Sequence, residues 1–275
     1  YSLARPITVA LFTSSSTGYA GMPAAFPLAM AFVSPFSLFL LMGYGNILDR
    51  SGPAGALVTS TMICAVILTA AAIAVGVFQS TGFMLGGIPA VKLVSGPLFI
   101  FRESYVQLLT SQFWSFMASA LTPAQSAQWF GPIAGLTSIA SAVAGLAVSP
   151  MVDKAGLAGV LLCTGLTLIG SVIASKKAYA IADQYGFTPV SGHKKLANDN
   201  KKSSHGVFGL FSTARQLFAR VPVLGALFTE ILASQGLATV LNVCFVSRLE
   251  SAIPNDSQRA GWVGVFFALI NIITM

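Results

Sequence analysis

The chain has 275 residues, of which 8% are charged and 55% hydrophobic, and its mean hydropathy is +0.79. A soluble protein carries about 25% charge, and a chain this poor in it cannot cover a core with a polar skin. This excludes an ordinary soluble enzyme, a disordered chain and a nucleic-acid binder, and it points to an integral membrane protein.

The apolar stretches are long and do not alternate, so helices are expected rather than a barrel. Residues 6–48, 51–91, 104–152, 155–175 and 260–275 contain no Asp, Glu, Lys or Arg. A spanning helix needs roughly 20 apolar residues, so each of the three longest blocks is expected to hold two spans. The net charge of +7 has a local origin: Lys176, Lys177, Lys194, Lys195, Lys201, Lys202, Arg215 and Arg220 account for eight of the 15 basic residues. A basic loop between spans marks the cytosol-like side of a membrane.

In chain order, residues 1–17 read as the end of a first span. The chain opens on Tyr1 rather than Met and is read as a processed chain or a fragment. A second span is expected over 19–44, bent by Pro23, Pro27 and Pro35 so that it lines something. A turn over 45–52 leads to a third span over 55–78, and 80–87 is a glycine-rich turn. Span four carries Lys92, Arg102 and Glu103 before a polar but uncharged run with Gln107 and Gln112. A start near Val94 would put Arg102 and Glu103 inside the membrane, and a start near Glu103 would put them at the mouth of the helix. Leu121-Thr122-Pro123 breaks that helix. Span five, 129–148, contains Gly131-xxx-Gly135 and Ala140-xxx-Ala144, spacings that let helices approach closely. A turn over 150–156 leads to span six over 157–175.

Three units follow from this layout: a six-helix bundle over 1–175, a basic central loop over 176–220, and the truncated start of a second bundle over 221–275. Spans seven (222–246) and eight (from Trp262) belong to the last. Eight spans in this order give an all-α, polytopic helical membrane protein of major-facilitator-like architecture. A short repeat agrees with it. Gly45-xxx-Asp49-Arg50-x-Gly52 resembles Ser149-xxx-Asp153-Lys154-x-Gly156 three spans later, an offset that reverses the side of the membrane, as an inverted repeat requires. Asp49, Arg50, Asp153 and Lys154 are expected to latch helix ends at these turns.

No GxSxG, HExxH or phosphate-loop motif occurs, so no enzyme is expected. Cys64, Cys163 and Cys244 have no metal-ligand spacing, His193 and His205 fall in the basic loop, and neither metal nor cofactor is implied. Ionisable groups inside a bilayer cost at least about 2.5 kcal/mol each and mark pathways or pair with each other. Arg102, Glu103 and Glu230 are the candidates. Gln107, Gln112, Gln235 and Asn242 are their polar partners, or simply interhelical glue.

Gly18-Tyr19-Ala20-Gly21-Met22-Pro23, then Pro35-Phe36-Ser37-Leu38-Phe39-Leu40-Leu41 and Asn46, resemble the GAExIP and LPxSxLFxLLYTKLSN of the plastid and intracellular-bacterial ATP/ADP antiporter family. Glu103 with Phe113-Trp114-Ser115-Phe116 resembles that family's fourth span. The segment 127–136 resembles its KRFYPLFGL, and Ser247-Arg248-Leu249 with Ile253-Pro254-Asn255-Asp256 resembles its region after span seven. The resemblance implies a transporter that exchanges ATP and ADP by alternating access in a plastid inner-envelope or other organelle membrane. Lipid and nucleotide would be its partners. Glu103 falls on the glutamate of the family's span four. Asn242 falls on its span-seven glutamate, Val246 on its lysine and Ala20 on the GAE glutamate, so several family charges are replaced. Arg5, Lys92 and Arg102 are the cations left for phosphates. Substrate recognition or gating is therefore expected from Arg102 and Glu103, then from Glu230, Asn242 and Arg5. A carrier of another metabolite, a proton-coupled symporter using Glu103 or Glu230, and a transport-dead scaffold are the alternatives.

Overall fold

The computed structural model describes residues 2–121, 123–184, 218 and 220–273. Most of the basic loop, including Lys194, Lys195, Lys201, Lys202, Arg215 and both histidines, lies outside the described residues. The helices are α1 (Ala4–Phe12), α2 (Ala25–Thr81), α3 (Ala90–Ala120), α4 (Pro123–Gln184), α5 (Pro222–Ala252) and α6 (Asp256–Ile273). A two-residue hairpin, β1 (Met84–Leu85) against β2 (Ile88–Pro89), turns at Gly86-Gly87 and leads into α3. The chain divides into two compact units, residues 1–188 with 248–275 and residues 189–247. The described part of the second unit is most of α5 with its approach, where Phe218 lies against Phe228 at 5.4 Å between ring centroids.

Among the described residues, four segments are long and apolar enough to cross a bilayer: Ala25–Gly52, Ala54–Thr81, Gln128–Ile181 and Val223–Ala252. This fits an integral membrane protein but corrects the expected eight spans. The block 6–48 holds only one long helix, because α1 is nine residues, about 14 Å at 1.5 Å per residue. α3 has the length, but Lys92, Arg102 and Glu103 reduce its apolarity. α6 opens on a polar turn containing Asp256, Gln258 and Arg259. Lys176 and Lys177 are not in a loop: α4 runs on through them to Gln184.

The expected turns are also tighter than a loop. α2 stays helical through Asp49 and Arg50 and breaks only at Gly52, with φ 69° and ψ 176°. α4 breaks in the same way at Gly156, with φ 68° and ψ 175°. That corner of backbone space is essentially open to glycine alone. The likeness extends beyond the break. A Cβ placed on Gly55 would lie 2.9 Å from Ser51 Cβ, and one on Gly159 would lie 2.8 Å from Ala155 Cβ. The repeat is thus Asp49-Arg50-Ser51-Gly52-Pro53-Ala54-Gly55 against Asp153-Lys154-Ala155-Gly156-Leu157-Ala158-Gly159, alike in backbone as well as in letters. Asp49, Arg50, Asp153 and Lys154 are all exposed at the ends of the arms that precede the breaks.

α1 is buried within the first unit, with every residue except Arg5 enclosed. It packs on α3, α4 and α6. Its Phe12 gathers Tyr19, Phe26 and Phe99 at centroid distances of 5.2, 6.0 and 4.8 Å, tying α1, the following loop, α2 and α3 into one aromatic cluster. The loop is then pinned to α3, since Ser95 Oγ donates to Thr17 O (2.7 Å) and Tyr19 Oη to Lys92 O (2.9 Å). The second arms of α2 and α4 run antiparallel, with Gly165 against Thr69 and Gly76 against Ala158. Cys64, Ala65, Leu68, Ala72 and Val75 meet Val160, Leu161 and Leu168 in this core.

The tightest crossing joins α4 to α6. A Cβ on Gly145 would sit 2.6 Å from Gly264 O, and one on Gly264 would sit 2.5 Å from Gly145 O. Gly261 rests on Ser149 in the same seam. The pair expected to mediate close packing, Gly131 and Gly135, has open space around it instead. Gly52→Ala and Gly156→Ala are each expected to cost about 1–3 kcal/mol. Gly135→Ala, in regular helix, should be neutral or gain about 0.5–1 kcal/mol. Thermal unfolding in detergent micelles compares the three, and equal midpoints would refute the requirement for glycine at the breaks.

Candidate functional site

α3 starts at Ala90 and ends at Ala120, which decides the position of the charged pair. Arg102 and Glu103 lie near the middle of the helix, about 18 Å from its first residue at 1.5 Å per residue. Arg102 is fully buried and ion-paired to Glu103, whose side chain is 17% exposed. Successive residues of a helix point apart, and α3 uses this. The face carrying Ser95, Gly96, Phe99 and Arg102 meets α1 and the loop after it, through the Ser95–Thr17 bond, the Gly96–Tyr19 contact and the Phe99–Phe12 pair. Phe101 turns toward α2, with its ring 6.4 Å from that of Phe36.

Glu103 begins a polar stripe on the third face. Gln107 and Thr110 follow at helical spacing, both exposed, beside a cavity of about 360 Å³ lined by Val106, Gln107, Leu109 and Thr110. Neighbouring polar residues serve packing. Ser104 Oγ donates to Val33 O (3.2 Å), and buried Gln112 Nε2 donates to Ser60 Oγ (2.8 Å), each joining α3 to α2. Gln112 therefore takes the role of interhelical glue. A larger, wholly apolar cavity of about 680 Å³ lies between α2 and α3. Pro35 lines it with Phe32, Phe36 and Phe39, so the proline-rich arm of α2 does line a space.

The other expected site residues lie on other helices. Arg5 of α1 stacks over the Phe267 ring of α6 at 4.0 Å, a cation–π contact. Glu230 is exposed and Asn242 half-buried on α5, in the second unit.

Arg259 was not among the expected site residues, and the structure buries it. It sits in the first turn of α6, where Asn255 Oδ1 caps the helix by accepting from Gln258 N (3.1 Å). Arg259 Nη1 donates to Thr13 O (2.9 Å), Thr13 Oγ1 (2.8 Å) and Asp256 Oδ1 (3.2 Å). Nε donates to Ile253 O (3.0 Å), and Nη2 to Pro254 O (3.2 Å). Thr13 closes the C-terminus of α1, and Ile253 and Pro254 follow that of α5, so the guanidinium sits where the negative ends of two helix dipoles converge. Asp256 Oδ2 accepts from Ser14 Oγ (2.5 Å), and Glu250 Oε1 accepts from Gly21 N (2.9 Å). The i,i+3 spacing of Asp256 and Arg259 was the legible signal, while Thr13 and Ser14 gave none.

Within the α3 pair, arginine stays charged under all conditions, whereas a carboxyl can take a proton. Glu103→Ala removes a counter-charge from a group that cannot neutralise itself, and should cost about 3–5 kcal/mol. Arg102→Met should cost less, because the Glu103 side chain it leaves behind is partly exposed and can be hydrated, whereas Arg102 is fully buried. Unfolding in lipid nanodiscs tests the order of the two, and the reverse order would overturn this account.

Comparison with protein-family models, with curated proteins and with solved structures returns no match.

Proposed function

We propose that this chain is a membrane carrier that moves a small anionic solute by alternating access, on a major-facilitator-like plan. The observation that carries the reading is the Arg102–Glu103 pair, held near the middle of a 31-residue helix in a chain of which only 8% is charged. An ion pair in such surroundings costs more in desolvation than it returns in stability, and on the reading that α3 crosses the bilayer in spite of its three charges such a pair marks a pathway. Glu103 is positioned to release the guanidinium, whose planar fork then matches a phosphate or carboxylate. The polar stripe through Gln107 and Thr110 extends the route along α3. The inverted Gly52/Gly156 breaks support the plan, since two like hinges in reversed orientation suit a fold that rocks between two states.

The resemblance to the ATP/ADP antiporters makes those nucleotides the first solutes to try, and an organelle envelope the proposed membrane. The partial exposure of Glu103 favours one second reading, in which its carboxyl carries a proton with the solute.

Purified protein in liposomes preloaded with ADP should take up labelled ATP. Arg102→Gln should lower the rate about ten- to a hundredfold, the worth of a hydrogen-bonded charge. Absence of uptake, or uptake unaltered by Arg102→Gln and Glu103→Gln, would overturn the nucleotide reading. A flux driven by a pH gradient and lost in Glu103→Gln would select the proton-coupled one.

A further inference from the structure

The end of the first unit where the α1–α2 loop, the start of α3 and the α5–α6 turn meet is closed by polar groups. Thr13 and Ser14 come from one end of the sequence, and Asp256 and Arg259 from the other, joined by the bonds described above. The Gly21–Glu250 bond lies beside them. We propose that this clamp is a releasable gate, closed in the present structure, and that its opening admits water to the interior along α1.

Three observations set the clamp apart from a fixed brace. Its rim is wet: Gly21 is exposed and Glu250 half-buried, and Asp256 is 26% exposed. Water can therefore take over its hydrogen bonds, and exchanging one against solvent changes the free energy little. Arg102, fully buried at mid-helix, has no such exchange open to it. The seam through which α6 is held to the rest of the unit, moreover, is built from small residues, Gly145 and Ser149 facing Gly261 and Gly264. The glycines face each other's carbonyls there and Val148 packs on Gly264, so the seam is a close-packed pivot and the clamp end is the part of the α4–α6 contact that can part. Finally, Arg259 gives three of its five bonds to backbone carbonyls at helix ends, groups that hydrate readily once the ends part. Such a clamp fixes one end of the unit firmly while leaving a low-cost way out.

The role as a gate rests on the carrier reading, but the opening is measurable without transport. Thr8→Cys supplies a reporter, since Thr8 is buried in α1 beneath the clamp and its hydroxyl bonds only within its own helix. Cys163 and Cys244 are replaced by serine, and native Cys64, buried in the α2 core, is kept as a sensor of unfolding. The liposome-reconstituted protein is treated with a membrane-impermeant maleimide, and each site is read by mass spectrometry. Asp256→Asn weakens the Ser14 and Arg259 contacts while retaining its shape. It should raise labelling at the Thr8→Cys site about tenfold and leave Cys64 protected. Ser14→Ala should do the same more weakly, and Arg259→Lys provides an independent lesion. Unchanged labelling at the reporter in these variants would overturn the proposal. So would labelling that rises equally at Cys64, because the clamp would then merely hold the fold. A gate found without nucleotide uptake would leave the inference standing and remove the nucleotide reading alone.

Discussion

Burying a guanidinium without leaving its charge unanswered is the constraint around which the first unit is organised. An isolated ion in an apolar interior costs far more than any single packing contact returns. Two arginines are buried among the described residues, Arg102 and Arg259, and each has an acid close by on its own helix. Their surroundings differ in kind. Arg102 lies at mid-helix, with Glu103 beside it and the aromatic cluster one turn away. Arg259 lies at an end, where carbonyls of two terminating helices converge on it. The first placement holds a charge away from both ends of a long helix. The second spends charge to join segments at opposite ends of the sequence.

Glycine divides between two physical tasks in this fold. At Gly52 and Gly156 a backbone conformation closed to side chains breaks a long helix, and nothing crowds the missing Cβ. At Gly145 and Gly264 the conformation is ordinary and space is scarce, since each glycine faces the other's carbonyl. Breaks of the first kind divide long helices into arms, and crossings of the second kind let two backbones approach closely. The close α4–α6 seam, with Val148 packed on Gly264, gives the unit a defined arrangement at that crossing. The polar clamp supplies at one end the specificity that small residues cannot.

Much of the membrane character was legible because hydropathy and charge scarcity are local properties. The number of spans was not. Length and scarcity of charge overcounted the spans, since α1 is a short buried helix and α3 and α6 each carry charged residues. The repeat was legible at four positions, and its reality lay in dihedral angles that letters do not contain. The GxxxG spacing at Gly131 failed because spacing says which residues share a face, not which face meets a neighbour.

By itself, then, the sequence determined that this chain belongs in a membrane, that it is helical, that its helices break near Gly52 and Gly156, and that Arg102 and Glu103 are the charges to watch. Each of these follows from composition or from residues a few positions apart. Tertiary structure decided that α3 begins early enough to carry that pair to mid-helix, that Arg5 serves a ring on α6, and that Arg259 leaves the loop to close one end of the bundle. Those outcomes depend on contacts between segments more than 200 residues apart, Thr13 with Arg259 and Ser14 with Asp256 among them. No local pattern encodes such contacts, because burial is a property of what packs around a residue rather than of the residue itself.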